Sequence, residues 1–345
     1  MRRVIKVVAA ASVATLALAA CGTSTNSTPG ASGTSAKALK VGMAYDVGGR
    51  GDQSFNDAAA KGLDKAKADL GVVTKEATAV NGEPESAREE RLQQLIDAGY
   101  TNVIAVGFVY ADAVKKIATA NPDVKFALID STDAAGANIE SLTFAENEGS
   151  FLVGAAAALK SKTGDIGFIG GVNTDLIKKF EAGYVMGAKT VNPAIKIQVK
   201  YLTQPPDFSG FYDPAKGKTA AEGMYQQGAD VVYHAAGGSG GGVFTAAAAA
   251  GKMAIGVDSD QALTASSEVK DVIITSMLKK VDVATFDFIT ALTEGKFTAG
   301  TKVYDLKAGG VGYSTTGGKI DDIKTKLEEF KAQIIAGTIV VPTKP

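Results

Sequence analysis

Residues Ala44–Asp57 read AYDVGGRGDQSFND. Just upstream, Leu39–Tyr45 (LKVGMAY) is an apolar run with the character of a buried parallel strand. Asp46 closes that run, Gly48-Gly49-Arg50-Gly51 make a glycine-rich turn, and a helix is expected to start around Phe55. Strand, glycine loop and helix in this order set a ligand outside the carboxyl end of a parallel sheet. The loop offers a carboxylate, an amide and an aromatic face, which suits a flat, polar, uncharged ligand. The same residues also fit an ordinary βα connection, with Phe55 packed inward and Ser54 capping the helix.

Outward from this loop the pattern repeats. Strands are expected at Lys40–Asp46, Lys75–Val80, Asn102–Gly107 and Lys125–Asp130, separated by helices at Phe55–Leu70, Glu85–Ala98 and Ala111–Ala120. After a break near Thr143–Asn147 come helices at Glu148–Lys160, Thr174–Val191, Pro214–Gln227 and Val243–Ala250. These alternate with strands at Asp165–Gly170, Lys196–Leu202, Asp230–Ala235, Met253–Val257 and Val272–Met277. A helix at Lys280–Thr293, a hairpin or pair of short strands within Thr301–Tyr313, and a last helix at Ile320–Ala336 complete the chain. Alternating β and α segments imply parallel sheets covered on both faces. Six strand ends carry a polar residue or glycine: Asp46, Gly107, Asp130, Gly170, Ala235-Ala236-Gly237 and Asp258. Strand ends on one edge face a common crevice, so these residues are expected to meet; singly, each Asp would be an ordinary turn or cap residue.

The first 20 residues read as an export leader. Arg2, Arg3 and Lys6 form a positive start, Val7–Leu18 an apolar stretch too short for a membrane span, and Leu18-Ala19-Ala20-Cys21 a cleavage site. Cleavage before the single Cys of the chain resembles the bacterial lipobox, which implies a diacylglycerol and palmitate-type anchor on Cys21 and an extracytoplasmic, membrane-attached protein. With Cys21 acylated no disulfide is possible. Residues 21–38 then form a flexible Ser/Thr/Gly tether. The whole chain carries 36 Lys and Arg against 37 Asp and Glu; loss of Arg2, Arg3 and Lys6 leaves 33 and a net charge of −4. That gives no basis for nucleic-acid binding. The remaining length exceeds what one hydrophobic core usually serves, so two domains are expected.

Catalytic and metal chemistry find little support. Gly237-Gly238-Ser239-Gly240-Gly241 matches G-x-S-x-G, but an α/β-hydrolase needs a His after the Ser, and the only His, His234, precedes it. His234 reads as a packed strand residue, and the glycines as a place for close backbone approach to a ligand. The dinucleotide and Walker fingerprints are missing. Asp258-Ser259-Asp260 begins like a calcium loop without its Gly and Glu, and one His with one Cys excludes the usual zinc sites. No cofactor, no metal and no enzymatic activity are expected.

Several segments together resemble the basic membrane protein family. They are Gly48-Gly49 with Asp52-Gln53-Ser54-Phe55-Asn56, Asp123-Val124-Lys125-Phe126, and Phe144 with Glu146 and Glu148-Gly149-Ser150-Phe151-Leu152-Val153-Gly154. The others are Phe180-Glu181-Ala182-Gly183, Asp213–Lys218, Gly228-Ala229-Asp230, Gly256–Gln261 and Thr275-Ser276-Met277-Leu278-Lys279. Members are substrate-binding lipoproteins of ABC importers, of the purine-nucleoside-receptor type. The resemblance runs from about Lys40 to Lys279, with a weaker tail. It implies an α/β chain of two Rossmann-like lobes, the type I periplasmic-binding-protein fold, joined by three crossovers with the ligand in the cleft. Lobe one would comprise 40–145 and 260–297, and lobe two 146–259 and 298–345.

Carried over by position, the resemblance implies that Phe55 and Phe211 stack on a nucleoside base and that Asn56 and Asp130 meet its edge. Asp258 and Lys279 would pair and hold the ribose hydroxyls, Gly238 would bring backbone close, and Asp46 would stand at the mouth of the first strand. The stretch Tyr201–Phe211 (YLTQPPDFSGF) is longer than the family's connection, so Phe208 competes with Phe211 for the stacking role. Implied partners are a nucleoside, the permease and ATPase of an importer and the membrane, for a monomer. A receptor for a sugar or other small polar ligand, or a cell-surface sensor using the same cleft, fits the same sequence.

Overall fold

The computed structural model describes residues 38–345. The leader, Cys21 and all of the tether before Ala38 lie outside the described residues. The first lobe builds from β1 (Lys40–Tyr45), α1 (Phe55–Leu70), β2 (Val73–Thr78), α2 (Glu85–Asp97), β3 (Asn102–Ala105), α3 (Ala111–Ala120), β4 (Lys125–Ile129) and β5 (Ile139–Phe144). The chain then enters the second lobe with α4 (Glu146–Lys160), β6 (Asp165–Val172), α5 (Asp175–Val191), β7 (Lys196–Thr203), α6 (Pro214–Gln226) and β8 (Val231–Ala235). It continues through α7 (Gly240–Ala250), β9 (Met253–Asp258), α8 (Gln261–Thr264) and β10 (Ile273–Lys279). The remainder is α9 (Val281–Thr293), β11 (Gly300–Tyr304), β12 (Val311–Tyr313) and α10 (Lys324–Ile335).

Two six-stranded sheets result, ordered β11-β5-β4-β3-β1-β2 and β12-β10-β9-β8-β6-β7. Every pairing is parallel except that of β10 with β12. The central strands are buried along their length, as parallel strands under helices on both faces must be. Helix α1 buries Ala58, Ala59, Leu63 and Ala66 and ends at Gly71, whose φ of 66° gives a left-handed cap. It packs so closely on α9 that a Cβ on Gly62 would lie 2.4 Å from the Asp282 carbonyl.

Register carries the polar strand ends to one place. Ala44 pairs with Ala105 and Ala105 with Leu128, so Asp46, Gly107 and Asp130, each two residues further on, leave the first sheet along a single edge. In the second sheet Asp258 pairs with Leu278, which sets Lys279 beside the end of β9.

Strand pairing moves two of the expected lobe boundaries. The chain crosses at Ala145, at Lys280 and over 305–310, whereas boundaries at 259/260 and 297/298 were expected in place of the latter two. Residues 260–279 stay with the second lobe because β10 extends that sheet beside β9. The segment Thr301–Tyr313 is no hairpin: β11 joins β5 in one lobe and β12 joins β10 in the other. Strand β5 had no counterpart in the sequence reading, and the last helix starts at Lys324, after a short 3-10 turn at Asp321–Ile323. The crossovers are tied together, with Ala145 N–H donating to Tyr304 O at 3.2 Å and Lys280 N–H to Gly310 O at 2.8 Å. Leu306 N–H donates to Glu148 Oε2 at 2.8 Å, closing the ribbon.

Candidate functional site

The loop after β1 is shaped by its own carboxylate. Asp52 accepts from the N–H groups of Ser54, Asn56 and Asp57 at 2.9, 2.8 and 3.0 Å, so it is Asp52 that serves the first turn of α1. Ser54, the cap in the alternative reading as an ordinary βα connection, makes no capping bond; its hydroxyl reaches across to Asp258 Oδ2 at 2.7 Å. Asn56 is held inside the loop as well, accepting from Asp46 N–H at 3.1 Å and donating to Asp52 Oδ2 at 3.0 Å. Gly48 and Gly49 take φ of 98° and 56°, and a Cβ on Gly49 would stand 2.6 Å from Thr78 Cγ2. The glycines are required by both backbone angle and space.

Between the lobes this loop faces a cavity that stays partly open to solvent. Of the residues singled out in the sequence, Asp46, Phe55, Asn56, Asp130, Phe211, Asp258 and Lys279 all line it. Gly238 does not: Gly237 takes the lining position, at φ 51°, while Gly238 lies under the Tyr212 ring. Of the six strand ends, Gly170 stays out of the cavity. Phe211 closes one wall, its ring 2.5 Å from where a Cβ on Gly171 would be. Phe208 stands outside, edge-on to Phe108 at 5.9 Å, and Phe108 in turn lines the cavity 6.5 Å from Phe211. That ring follows the left-handed Gly107 at the end of β3, where the strand-end argument could have found it.

The electrostatics are those of several carboxylates and one cation. Lys279 Nζ is 2.5 Å from Asp130 Oδ2 and 3.3 Å from Glu146 Oε1, all three side chains at most 4% exposed. It also faces the rings of Phe55, Phe144 and Phe180 at 5.0, 5.0 and 5.6 Å. The expected pairing of Lys279 with Asp258 is corrected: the lysine pairs with Asp130 and Glu146, and Asp258 takes Ser54. The reason is spatial, since Asp130 comes across from the first sheet into the reach of Lys279. Burial alone would lower the Lys279 ammonium, but Asp130, Glu146 and Asp258 outweigh it and hold it raised. Burial lifts the Asp46 carboxyl from 3.8 to about 7 and those of Asp130 and Asp258 to about 6, with Lys279 pulling the latter two back. Asp130 Oδ1 is left without a hydrogen-bond partner. Such a wall accepts hydrogen bonds far more than it donates them.

His234 and Ser239 are structural. His234 is fully buried, edge-on to Phe244 at 5.1 Å, and burial lowers it to about 4. Ser239 is equally buried; its hydroxyl donates to Gly210 O and accepts from Asp213 N–H, both at 2.7 Å, pinning the loop that carries Phe211. No group of three or more metal-ligating side chains occurs among the described residues, nor a helix long and apolar enough to cross a membrane.

Residues 39–344 match the family model of PnrA-like ABC transporter substrate-binding proteins. The chain is 36% identical over 366 residues to the ABC transporter nucleoside-binding protein BmpA of Lactococcus lactis, covering 99% of each. It is 34% identical over 302 residues to basic membrane protein A of Borreliella burgdorferi, covering 85% of this chain and 84% of that one. Among solved structures, an ABC transporter solute-binding protein from Aeropyrum pernix superposes with a TM-score of 0.76 at 32% identity, over 88% of this chain and 94% of the other.

Proposed function

The chain belongs to the PnrA-like family of ABC transporter substrate-binding proteins, and from that premise we propose that its ligand is a nucleoside, preferably a purine nucleoside. It is a solute-binding protein of the type I periplasmic fold and not an enzyme. The observation that carries the ligand reading is the pairing of ring faces with acceptors in one cavity, Phe55 and Phe211 beside Asp46, Asp130 and Asp258. A heterocycle gains about 1–3 kcal/mol per stacked ring. Its N–H groups and the sugar hydroxyls supply the donors that buried carboxylates lack, and charge-assisted hydrogen bonds of this kind are the strong ones. A purine covers more ring face than a pyrimidine. The excess of carboxylates disfavours a phosphorylated ligand by like-charge repulsion.

In this reading Phe55 and Phe211 stack on the base, Asp46 and Asp130 take its donors, Asn56 keeps the Asp46 loop in shape, and Asp258 with Lys279 holds the ribose. The protein acts as a monomer held to the outer face of the membrane by Cys21 and delivers its ligand to the permease and ATPase of its importer. Calorimetry of the purified protein against nucleosides, free bases and pentoses tests this. A nucleoside is expected to bind more tightly than its base or its sugar, since separate groups hold the two halves. A monosaccharide binding more tightly than any nucleoside overturns the proposal.

A further inference from the structure

Lys279 ends β10 and Glu146 opens α4, so each sits one residue from a crossover of the hinge ribbon. Their side chains are 2% and 1% exposed. The two carboxylates beside the lysine belong to different bodies. Asp130 follows β4 in the first sheet, while Glu146 begins a helix packed on α5, β10 and β12 in the second lobe. Separation of the lobes draws Asp130 away from Lys279 and leaves Glu146 next to it. Asp130 is then hydrated in the open cleft. Lys279 has less relief, because its side chain is only 2% exposed and Phe144 and Phe180 border it. A buried ammonium stripped of its last carboxylate is strongly destabilising.

We propose that Glu146 is the standing counter-ion of Lys279, a positioning residue that keeps the lysine paired when Asp130 leaves and so allows the ligand-free cleft to open. With the lobes closed, the two carboxylates share one ammonium, which sits nearer Asp130; Glu146 Oε1 accordingly lacks a well-formed hydrogen bond in this state. With the lobes apart, Glu146 is the carboxylate in direct contact with the ammonium, and Asp258 adds its charge from further away. The other Glu146 oxygen stays on Lys179 at 3.3 Å, which keeps the carboxylate aimed inward. The inference rests on the two-lobed binding-protein reading and on no particular ligand.

Small-angle X-ray scattering of the ligand-free protein tests it, independently of what the ligand is. Wild type is expected to have a larger radius of gyration than the closed structure. Glu146→Gln should shift it to the closed value, because Asp130 is then the one carboxylate left within 4 Å of the ammonium, with Asp258 acting only from further away. Glu146→Gln combined with Lys279→Met should restore the open value, a rescue that a purely structural role for Glu146 would not produce. A wild-type protein already closed without ligand, a Glu146→Gln protein as open as wild type, or a double variant as closed as the single one each overturns the proposal. If Glu146→Gln does not fold, folding of the double variant supports it and failure of both overturns it.

Discussion

Asp130 and Asp258 take φ of 71° and 63°, a left-handed backbone uncommon for residues with a side chain and tolerated best by Asn and Asp. Both sit where a strand ends at the cavity, so each exchanges backbone strain for an inward-facing carboxylate. Asp258→Asn preserves that backbone while removing the charge. If Asp258 accepts from the ribose, ribonucleoside binding should weaken by about 1.5–3 kcal/mol, the usual worth of a hydrogen bond to a charged group. A 2′,3′-dideoxynucleoside should bind weakly to wild type and lose little more. Phe55→Ala should weaken both ligands by about 1–3 kcal/mol. Calorimetry with the two ligands separates the roles, and equal losses on Asp258→Asn would remove Asp258 from the sugar. Acidity gives a second residue-scale prediction. Burial places the folded Asp46 carboxyl near 7 against 3.8 unfolded, so its contribution to stability is full below about pH 4 and is lost as pH rises through 7. His234, lowered to about 4, runs the opposite way and cancels when wild type is compared with Asp46→Asn. Denaturant titrations from pH 5 to 8 should show the variant gaining on wild type as pH rises. A constant difference would mean that Asp46 does not titrate in this range.

Individual elements explain why some of the site was legible and some was not. The loop after β1 declares itself in sequence because its glycines, acid and aromatic are contiguous, and the helix after it starts as the spacing requires. Asp46, Asp130 and Asp258 were visible as polar ends of apolar runs. Glu146 was not, because FAENEGSF carries two acids and no spacing tells which one points inward; Glu148 binds the Leu306 N–H instead. Likewise Thr301–Tyr313 reads as a hairpin or a pair of short strands, and only tertiary pairing shows that its halves join separate sheets. Of the two rings on the long loop before α6, Phe211 lines the cavity and Phe208 lies edge-on to Phe108 of the other lobe. An aromatic pair of this kind is worth about 0.5–1.5 kcal/mol. Phe208→Ala should therefore speed ligand dissociation by about 2- to 13-fold, the same energy expressed as a rate, with little change in association, as stopped-flow measurements would record. Phe211→Ala should lower affinity itself. A Phe208→Ala protein with wild-type dissociation would reduce the cross-cleft contact to incidental packing.

At the scale of the whole molecule, the chain from Ala38 onward carries both sheets, and the first 37 residues would contribute its address and attachment. Mass spectrometry of protein recovered from membranes should find the mature chain starting at an acylated Cys21, and Cys21→Ser should release it from the membrane fraction. An unmodified amino terminus would count against the anchor. The crossovers at 145, 280 and 305–310, hydrogen-bonded side by side, also have a mechanical meaning. One linker would let the lobes twist, slide and bend, whereas three laced straps suppress the first two and leave bending. The molecule is then a device with a single soft coordinate, and its importer can read whether it is loaded from the spacing of two surface points, one on each lobe.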